Sequence, residues 1–484
     1  MNRELDMSVA LFPGQGAYRP GTLAGLWERG DDTVRGTFEE VDAIAKEKLG
    51  REVSSTVFRP SPPSPASLLA TAPDTLQLAV FATSVATHRL LAERGAGASV
   101  HLGHSLGELA ALTCAGAYDL ADAAAVLCER ISVLREYDRS GGSMLALGCG
   151  RERAERVVGL IGHPDLVLAV DNSATQAVVS GPADAVGTAA AIAAQLGISA
   201  TPLNSPHPFH NPLLAEARRQ LAVRIAPFLC RALAVPVYSP ILGRFYRDGD
   251  NLAELLALHL VTPVEFGPSI RALHAAGARV FVENGAGRVL TGLVAEARPG
   301  VHVVAPLAGR DDEAGLASAA DALRGPLGGA PAAAVVAPAG AVVAGVVAAP
   351  AGAAGARAGA AGARAGAAGA RAGAAAAAVP VPSASASASA PVDREELAGR
   401  VRALYAEAME YPEEVFTDDV LLEADLGVDS VKQTELLSRL GDRFGLGVPP
   451  AGLRVADYDT FGKVVDFVAA GVGDGALAGS AATQ

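Results

Sequence analysis

Cysteine is scarce in this sequence, which has 484 residues and only four cysteines. They are too few and too widely spaced for a disulfide framework or for a CxxC pair that holds a metal ion. The sequence therefore predicts a protein of a reducing compartment without a metal site. The four residues are Cys114, Cys128, Cys149 and Cys230.

An excess of basic residues is also missing, since the formal net charge is −13. From Asp393 onward the chain has eighteen acidic and eight basic residues, so this segment carries a net charge of −10. A protein that binds nucleic acid needs a basic surface to neutralise phosphates, and no segment supplies one. The acidic C-terminal segment predicts instead a contact with basic patches on protein partners.

Signals for secretion or membrane insertion are absent as well. The N-terminal stretch MNRELDMSVALFPGQG lacks the cationic start and the apolar core of a secretory signal, so we expect a cytoplasmic protein. One uncharged run, between Arg324 and Arg357, is long enough to cross a bilayer. Its Ala and Gly residues contribute little transfer free energy and four prolines interrupt it, which argues against a membrane span.

Residues 324–392 contain little besides Ala, Gly, Val, Pro, Ser and Arg, in a chain with only 5% aromatic residues. The heptapeptide AGAAGAR recurs here, but its small residues stand where a coiled coil needs large apolar ones. Such residues cannot bury enough surface to offset the entropy lost on ordering. We predict a linker over 324–392, between a globular region at 8–323 and a second unit at 393–475.

The second unit has the pattern of a small helical bundle. Leu397, Val401 and Leu404 recur at helical spacing, and the stretches SVKQTELLSRLGDRF and FGKVVDFVAAGV predict two further amphipathic helices.

The globular region is typical of an α/β fold. SVALFPGQG predicts a strand that runs into a Gly-rich loop, and ASVHLGHSLGELAALTCAG predicts a strand, a sharp turn and a helix. Between Met144 and Asn204 the pattern predicts the element order βαββαβ, which is ferredoxin-like. We therefore expect an α/β hydrolase-like core with an inserted ferredoxin-like subdomain at about 143–206 and a cleft between them.

The sequence GHSLG satisfies the G-x-S-x-G pattern of a nucleophile elbow, with Gly103, Ser105 and Gly107 in the required places. Two glycines allow a tight turn that exposes the Ser105 hydroxyl at the start of a helix, where negative charge is favoured. A Gly/Ser turn without chemistry is the alternative interpretation. The predicted strand before the turn and helix after it favour the catalytic one.

A serine nucleophile needs a base, and histidine is the usual residue. His104 stands beside Ser105, but on an elbow its side chain should point away, so we expect it to support the turn. His207 and His210 belong to SPHPFHNPLL, a loop just after the inserted lobe that can reach the cleft. One of these two is predicted to be the base.

Several linked motifs extend this pattern over residues 8 to about 323. FPGQGA, LQLAVFATSVA, GHSLGELAAL, Arg130, GGSMLAL, NSATQAVVSG, HPFH, TPVEF and ENGAGRVLTGL stand in this order. In order and spacing the region resembles the malonyl-CoA:acyl-carrier-protein transacylases. It is also similar to the acyltransferase domains of modular polyketide synthases.

This resemblance implies roles for individual residues. Ser105 would be the nucleophile and His210, the second His of HPFH, the general base, with a backbone carbonyl rather than an acidic residue orienting the imidazole. The backbone N–H groups of Gln15 and Leu106 would form the oxyanion hole. Gln77 would line the substrate site.

Arg130 by itself would be interpreted as a solvated arginine on a helix. The resemblance implies instead that it grips the carboxylate of a dicarboxylic acyl unit, which suits the planar guanidinium. HPFH is close to the HAFH associated with malonyl selection and unlike the YASH of methylmalonyl domains, although Pro208 replaces the usual Ala.

The acidic unit contains EADLGVDSVKQTELL, which resembles acyl carrier proteins. In these proteins the serine of a DS dipeptide receives 4′-phosphopantetheine, and that serine corresponds to Ser430. A helix N-terminus suits a phosphodiester. The alternative for Ser430 is an ordinary helix N-cap.

The resemblance implies an acyltransferase that moves a malonyl or related dicarboxylic acyl group from CoA to a carrier-bound pantetheine thiol. The reaction would pass through an acyl-serine, in polyketide or fatty-acid biosynthesis. An acyl hydrolase that clears stalled acyl groups from carriers is the alternative, although it would have no use for Arg130. A scaffold with an inactive catalytic region is disfavoured because Ser105, His210 and Gln15 are all present.

Partners are expected because nothing in the chain resembles a condensing domain. They would be an acyl-CoA substrate, the chain's own carrier domain and other carriers, a condensing enzyme and a phosphopantetheinyl transferase. The sequence leaves open the acyl unit, loading in cis or in trans, the pathway product and the oligomeric state.

Overall fold

The computed structural model describes residues 7–203, 205–325, 394–409, 413–418 and 458–478, with single positions between 420 and 444. The chain divides into two compact units, Met1–Val342 and Val343–Gln484. Of the predicted linker, residues 326–392 are outside the described residues, and so is Ser430.

The described strands all belong to the first unit. They are β1 (Met7–Phe12), β2 (Val100–Gly103), β3 (Gly142–Leu147), β4 (Val167–Asp171), β5 (Ala177–Pro182), β6 (Ala200–Leu203), β7 (Val237–Ser239), β8 (Arg244–Phe245), β9 (Val264–Glu265), β10 (Ala278–Glu283) and β11 (His302–Val304).

The first unit also contains fourteen described helices, and the second unit two. The first fourteen are α1 (Ala24–Arg29), α2 (Asp32–Leu49), α3 (Ser54–Val57), α4 (Pro65–Thr71), α5 (Pro73–Glu93), α6 (Gly107–Cys114), α7 (Leu120–Tyr137), α8 (Arg151–Ile161), α9 (Ala183–Gln195), α10 (Ala215–Ile225), α11 (Leu252–Leu258), α12 (Phe266–Ala275), α13 (Val289–Ala297) and α14 (Asp312–Arg324). The last two are α15 (Arg394–Met409) and α16 (Phe461–Ala478). Short 3-10 turns cover Pro212–Leu214 and Glu413–Val415.

The larger sheet has the strand order β11-β10-β1-β2-β7-β8. Every pairing in it is parallel except that of β7 with β8. The central strand β1 has the continuous apolar sequence VALF, and all four residues are buried. Such a strand suits a parallel sheet covered by helices on both faces.

The carboxyl ends of β1 and β2 lie side by side, with Phe12 aligned to Gly103. The loop that follows β1 therefore meets the turn that follows β2. Ligands of open parallel sheets bind at this edge, so the fold brings FPGQG and GHSLG together.

The smaller sheet has the order β6-β3-β5-β4-β9 and a hydrophobic core of its own. Its first four strands, with α8 and α9, follow the chain as βαββαβ, the element order that the sequence predicts for this lobe. The fifth strand, β9, joins from later in the chain and pairs parallel with β4. Two residues are too short to produce a readable strand pattern, which is why the sequence does not predict it.

The helix α7 spans 18 residues and carries Arg130. Its N-cap is Asp119, whose side chain accepts a hydrogen bond from the Asp122 amide and so satisfies one free N–H group of the first turn. Apolar residues between Leu120 and Leu134 bury one face of the helix in the core. This packing fixes the position of Arg130.

In the second unit α15 and α16 are two of the helices that the sequence predicts. Leu397, Val401, Tyr405, Phe416 and Phe461 are among the residues of its core. The middle predicted helix lies largely outside the described residues. No helix in the described part of the chain is both long enough and apolar enough to cross a membrane.

Candidate active site

Ser105 occupies the sharp turn between β2 and α6. Its φ of 52° lies in the left-handed region, where residues other than glycine are uncommon. A side chain at Gly103 would collide with the backbone of Glu108, and one at Gly107 with the Phe12 carbonyl. Both glycines of the motif are therefore required by close backbone approach, and the turn holds Ser105 at the start of α6.

His210 faces this turn. Its Nε2 atom lies 2.9 Å from Ser105 Oγ, and its Nδ1 atom lies 3.0 Å from the Thr262 carbonyl oxygen. Because a carbonyl only accepts, Nδ1 carries the proton and Nε2 presents its lone pair to the hydroxyl. His210 also has a positive φ, 61°. The arrangement is a serine–imidazole pair oriented by a backbone carbonyl.

The surroundings of His210 keep the imidazole neutral. Its side chain is buried, and burial lowers its pKa from 6.5 to about 3. Burial is the largest cause of this value; His259, His104 and Arg130 also contribute to the lowering of the pKa, and the bond to Thr262 partly opposes it. At neutral pH Nε2 is therefore free to accept a proton.

Asn211 anchors the loop that carries His210. Its Nδ2 atom donates to the carbonyl oxygens of Asp165 and Ser180, at 2.9 and 3.0 Å. Its Oδ1 atom accepts from the Leu213 amide at 2.9 Å. The side chain is completely buried and ties the loop to the smaller lobe. Sequence reasoning missed this residue, although an Asn that directly follows a candidate base in a Pro-rich loop is a usable signal for a loop anchor.

The PGQG loop packs against the elbow. The His104 amide donates to the Phe12 carbonyl at 2.9 Å, and a Cβ atom at Gly14 would lie 2.9 Å from the His104 carbonyl oxygen. Gln15 is thereby held beside the turn. In the part of the chain that the structure describes, no hydrogen bond is made by the backbone N–H of Gln15 or of Leu106. Both amides are available to an oxyanion.

The His104 side chain points away from Ser105. Its Nε2 atom lies 2.8 Å from Asn172 Oδ1, and its ring packs edge-on against Phe266 with centroids 5.2 Å apart. Asn172 in turn donates to Gln176 Oε1 at 2.7 Å. The contact agrees with the expected supporting role and links the elbow to the smaller lobe.

His207 and His210, the two candidate bases, have different partners. His207 Nδ1 lies 2.6 Å from Asp138 Oδ2, and this carboxylate also binds the amide and hydroxyl of Ser140. His210 is the histidine that contacts Ser105. The structure therefore separates two residues that the sequence pattern alone leaves equivalent.

Arg130 is a half-buried cation near the nucleophile. It donates through Nη1 to Gln77 Oε1, and its guanidinium lies 4.7 Å from the centre of the Phe209 ring. Burial lowers its pKa from 12.5 to about 10, which leaves it charged at neutral pH. Among the described residues no carboxylate forms an ion pair with Arg130. A half-buried arginine without a counter-ion can bind an anionic ligand.

A pocket joins these groups. Ser105, Leu106, Arg130 and His259 line it, and aliphatic side chains complete the wall. The aliphatic residues are Leu109, Val126, Leu221, Ile225 and Leu256. The arrangement can form and break an ester on Ser105 and can bind a small anionic group. In the described residues no cluster of three or more His, Cys, Asp or Glu side chains could hold a metal ion.

Comparison with known proteins agrees with this geometry. The acyl transferase domain family matches residues 9–318, and a phosphopantetheine attachment site family matches residues 399–468. The first match covers more than half of the chain. The chain therefore belongs to the acyl transferase domain family, and its C-terminal region carries a second domain of the phosphopantetheine attachment type.

Individual relatives cover the first unit. The malonyl CoA-acyl carrier protein transacylase of Bacillus subtilis is 34% identical, and the match covers 59% of this chain and 88% of that protein. The polyketide biosynthesis protein ThaF of Burkholderia thailandensis is 32% identical over 65% of this chain, which spans only 26% of ThaF.

A solved structure has the same fold. The malonyl-CoA:acyl carrier protein transacylase of Xanthomonas oryzae is 30% identical, with a TM-score of 0.59. The match covers 66% of this chain and 98% of that one.

Proposed function

We propose that the protein transfers a malonyl or related dicarboxylic acyl group from CoA to the pantetheine thiol of a carrier domain, through an acyl ester on Ser105. The observation that carries this proposal is one pocket lined both by Ser105, whose hydroxyl contacts His210, and by Arg130, a half-buried arginine without a counter-ion among the described residues. The names of the transacylase relatives support it.

In the first half-reaction His210 Nε2 accepts the hydroxyl proton while Ser105 Oγ attacks the thioester carbonyl carbon. The backbone N–H groups of Gln15 and Leu106 stabilise the tetrahedral oxyanion. The C–S bond then breaks, and His210 returns the proton to the CoA thiolate. Thr262 holds the imidazole in the required tautomer throughout.

The second half-reaction runs in the opposite direction. His210 accepts the proton of an incoming thiol and delivers it to Ser105 Oγ as the ester bond breaks. Phosphopantetheine on Ser430 supplies this thiol. Ser430 lies outside the described residues, so this part of the proposal rests on the match of the phosphopantetheine attachment family to 399–468.

Arg130 selects the acyl unit. Its guanidinium pairs with the carboxylate of the acyl group, and Gln77 and Phe209 keep it in place. A hydrolase that removes acyl groups with or without a carboxylate would not need the Arg130 guanidinium. No observation favours that alternative.

The finer description of the fold is also a proposal. The parallel sheet with its elbow supports a hydrolase-like core, and the order β6-β3-β5-β4 supports a ferredoxin-like lobe. For the domains we propose 8–323, a linker at 324–392 and a carrier domain at 393–475. Beyond its own and other carriers, a phosphopantetheinyl transferase and a condensing enzyme are the proposed partners.

Mass spectrometry after incubation with malonyl-CoA tests the function. We expect an adduct of about 86 Da on Ser105, which disappears when a pantetheinylated carrier is added and reappears on that carrier. Ser105→Ala should abolish both adducts, whereas Ser430→Ala should abolish only loading of the chain's own carrier domain. Release of free malonate without an adduct on either residue would identify a hydrolase and contradict the proposal.

A further inference from the structure

Glu108 lies on α6, one turn after Ser105, and its side chain is completely buried. Its Oε1 atom accepts a hydrogen bond of 2.6 Å from the Tyr246 hydroxyl. Within the described residues its Oε2 atom has no hydrogen-bond partner. A buried carboxylate oxygen without a partner is costly, so the surroundings of Glu108 are incomplete.

His259, at the end of α11, is a basic side chain close to this carboxylate. Its Nε2 atom lies 3.5 Å from Glu108 Oε1 and makes no hydrogen bond in the described part of the chain. The residue is only 7% exposed. The pair is thus loosely joined, with an unsatisfied polar atom on each side chain.

The pair borders the acyl pocket. His259 lines the same pocket as Ser105 and Arg130, and the remaining lining residues are aliphatic. His259 and Arg130 are therefore the nitrogen-bearing side chains that this pocket offers to a ligand.

A carboxylate bound in such a pocket needs more than one donor group. It has two oxygens and about four acceptor positions, all of which lose water on burial. Arg130 already uses Nη1 for Gln77. Donors from one edge of the guanidinium cannot reach all the acceptor positions of the bound carboxylate. His259 is the other side chain of the pocket that can donate a hydrogen bond to one of them.

We propose that His259, held by Glu108, is the second residue that binds the carboxylate of the acyl unit. An imidazole between two carboxylates donates to both only as imidazolium, so the ring would bridge Glu108 and the substrate. This inference rests on the proposed function, because it assumes a dicarboxylic acyl group on Ser105.

The experiment compares two reagents on the full-length chain. Malonyl-CoA acylates Ser105 with a carboxylate in the pocket, whereas p-nitrophenyl acetate reports the reactivity of Ser105 without one. In His259→Leu we expect acylation by malonyl-CoA to fall about tenfold or more, the effect of one hydrogen bond to a charged group. Acylation by p-nitrophenyl acetate should change by no more than about twofold, well below that effect.

Two further variants keep the test decisive. His259→Gln retains an N–H donor and should lose less malonyl transfer than His259→Leu; it replaces the leucine variant if that variant does not fold. Leu256→Ala changes the aliphatic wall of the same pocket and should affect both reagents by the same factor.

Equal losses with both reagents in the His259 variants would indicate a structural role and overturn the inference, as would no loss with either. Failure of the proposed function gives a different result. In that case the unmodified chain reacts with p-nitrophenyl acetate at Ser105 but not with malonyl-CoA.

Discussion

Ser105 and His210 share an unusual feature at the level of single residues, because both have a positive φ without being glycine. Such conformations cost about 1–3 kcal/mol each and persist only where the surroundings enforce them. Gly103 and Gly107 enforce the turn at Ser105 by close packing, and Asn211 anchors the chain next to His210. Strain at both members of the pair supports their proposed role in catalysis.

Arg130 provides a prediction at this scale. In Arg130→Ala we expect acylation of Ser105 by malonyl-CoA to fall about 100-fold, since removing one member of a buried charge pair costs about 2–5 kcal/mol. Acylation by acetyl-CoA should fall much less, because the acetyl group carries no carboxylate. Rates measured with both thioesters by quenched-flow mass spectrometry give the ratio.

The matched control is Arg156→Ala on the surface of the smaller lobe, where the side chain is 78% exposed. It should leave both rates unchanged. If Arg130→Ala lowered both rates equally, the arginine would be structural and the selection of a dicarboxylic unit would be wrong.

At the scale of elements, the strand–turn–helix unit β2–α6 combines local sequence with tertiary contact. The turn needs glycine at two places because α6 begins directly above the carboxyl end of β1. Contacts with other elements hold the loop that carries His210. His207 bonds to Asp138, the Phe209 ring contacts the Arg130 guanidinium, and Asn211 donates a hydrogen bond to β5.

Gly107→Ala tests the elbow. The added methyl group would overlap the Phe12 carbonyl, so we expect loss of the acyl adduct on Ser105 together with a lower free energy of unfolding. Gly187→Ala is the control, since Gly187 lies inside α9 with open space around it and should become more stable by up to about 1 kcal/mol. Equal behaviour of the two variants would contradict the packing argument.

At the scale of the whole molecule, three histidines with lowered pKa values, the buried His101 and His210 and the half-buried His88, connect stability to pH. Burial lowers the pKa of His88 to about 4, and that of His101 and of His210 to about 3. In the unfolded chain these groups have a pKa of 6.5, so they bind protons at a higher pH than in the folded protein. Their contribution to stability is therefore complete above pH 6.5 and is lost as the pH falls towards 3 to 4.

We expect each of these histidines to lower the free energy of unfolding by about 1.4 kcal/mol per pH unit below 6.5. In His88→Phe the slope should decrease by this amount. Urea unfolding at pH 7, 6 and 5 measures it. The single tryptophan, Trp27, stacks on Phe58 at 4.4 Å in the first unit, so its fluorescence reports on that unit.

The titration of Glu283 changes the free energy of unfolding in the opposite direction, so the measured pH dependence contains both effects. Burial raises its pKa to about 7, so its contribution grows as the pH falls from 7 towards the unfolded value of 4.5. The comparison of His88→Phe with the unchanged chain cancels this effect. An unchanged slope in the variant would show that His88 titrates normally in the folded protein.

The sequence by itself determined the features that depend on local pattern. The elbow at Ser105 followed from two glycines between a strand and a helix, and the lobe βαββαβ followed from alternating periodicities. Membership of the acyl transferase family was also evident from the order of its motifs.

Only the tertiary structure decided which side chains meet. It identified Thr262 as the residue whose carbonyl orients the His210 imidazole, and it brought Glu108 to His259. Thr262 acts through its backbone, which every residue has, so no residue type marks it in the sequence. Glu108 and His259 are 151 positions apart. Contacts between residues that are distant in the sequence depend on the packing of the whole sheet and its helices. The local sequence pattern does not predict them.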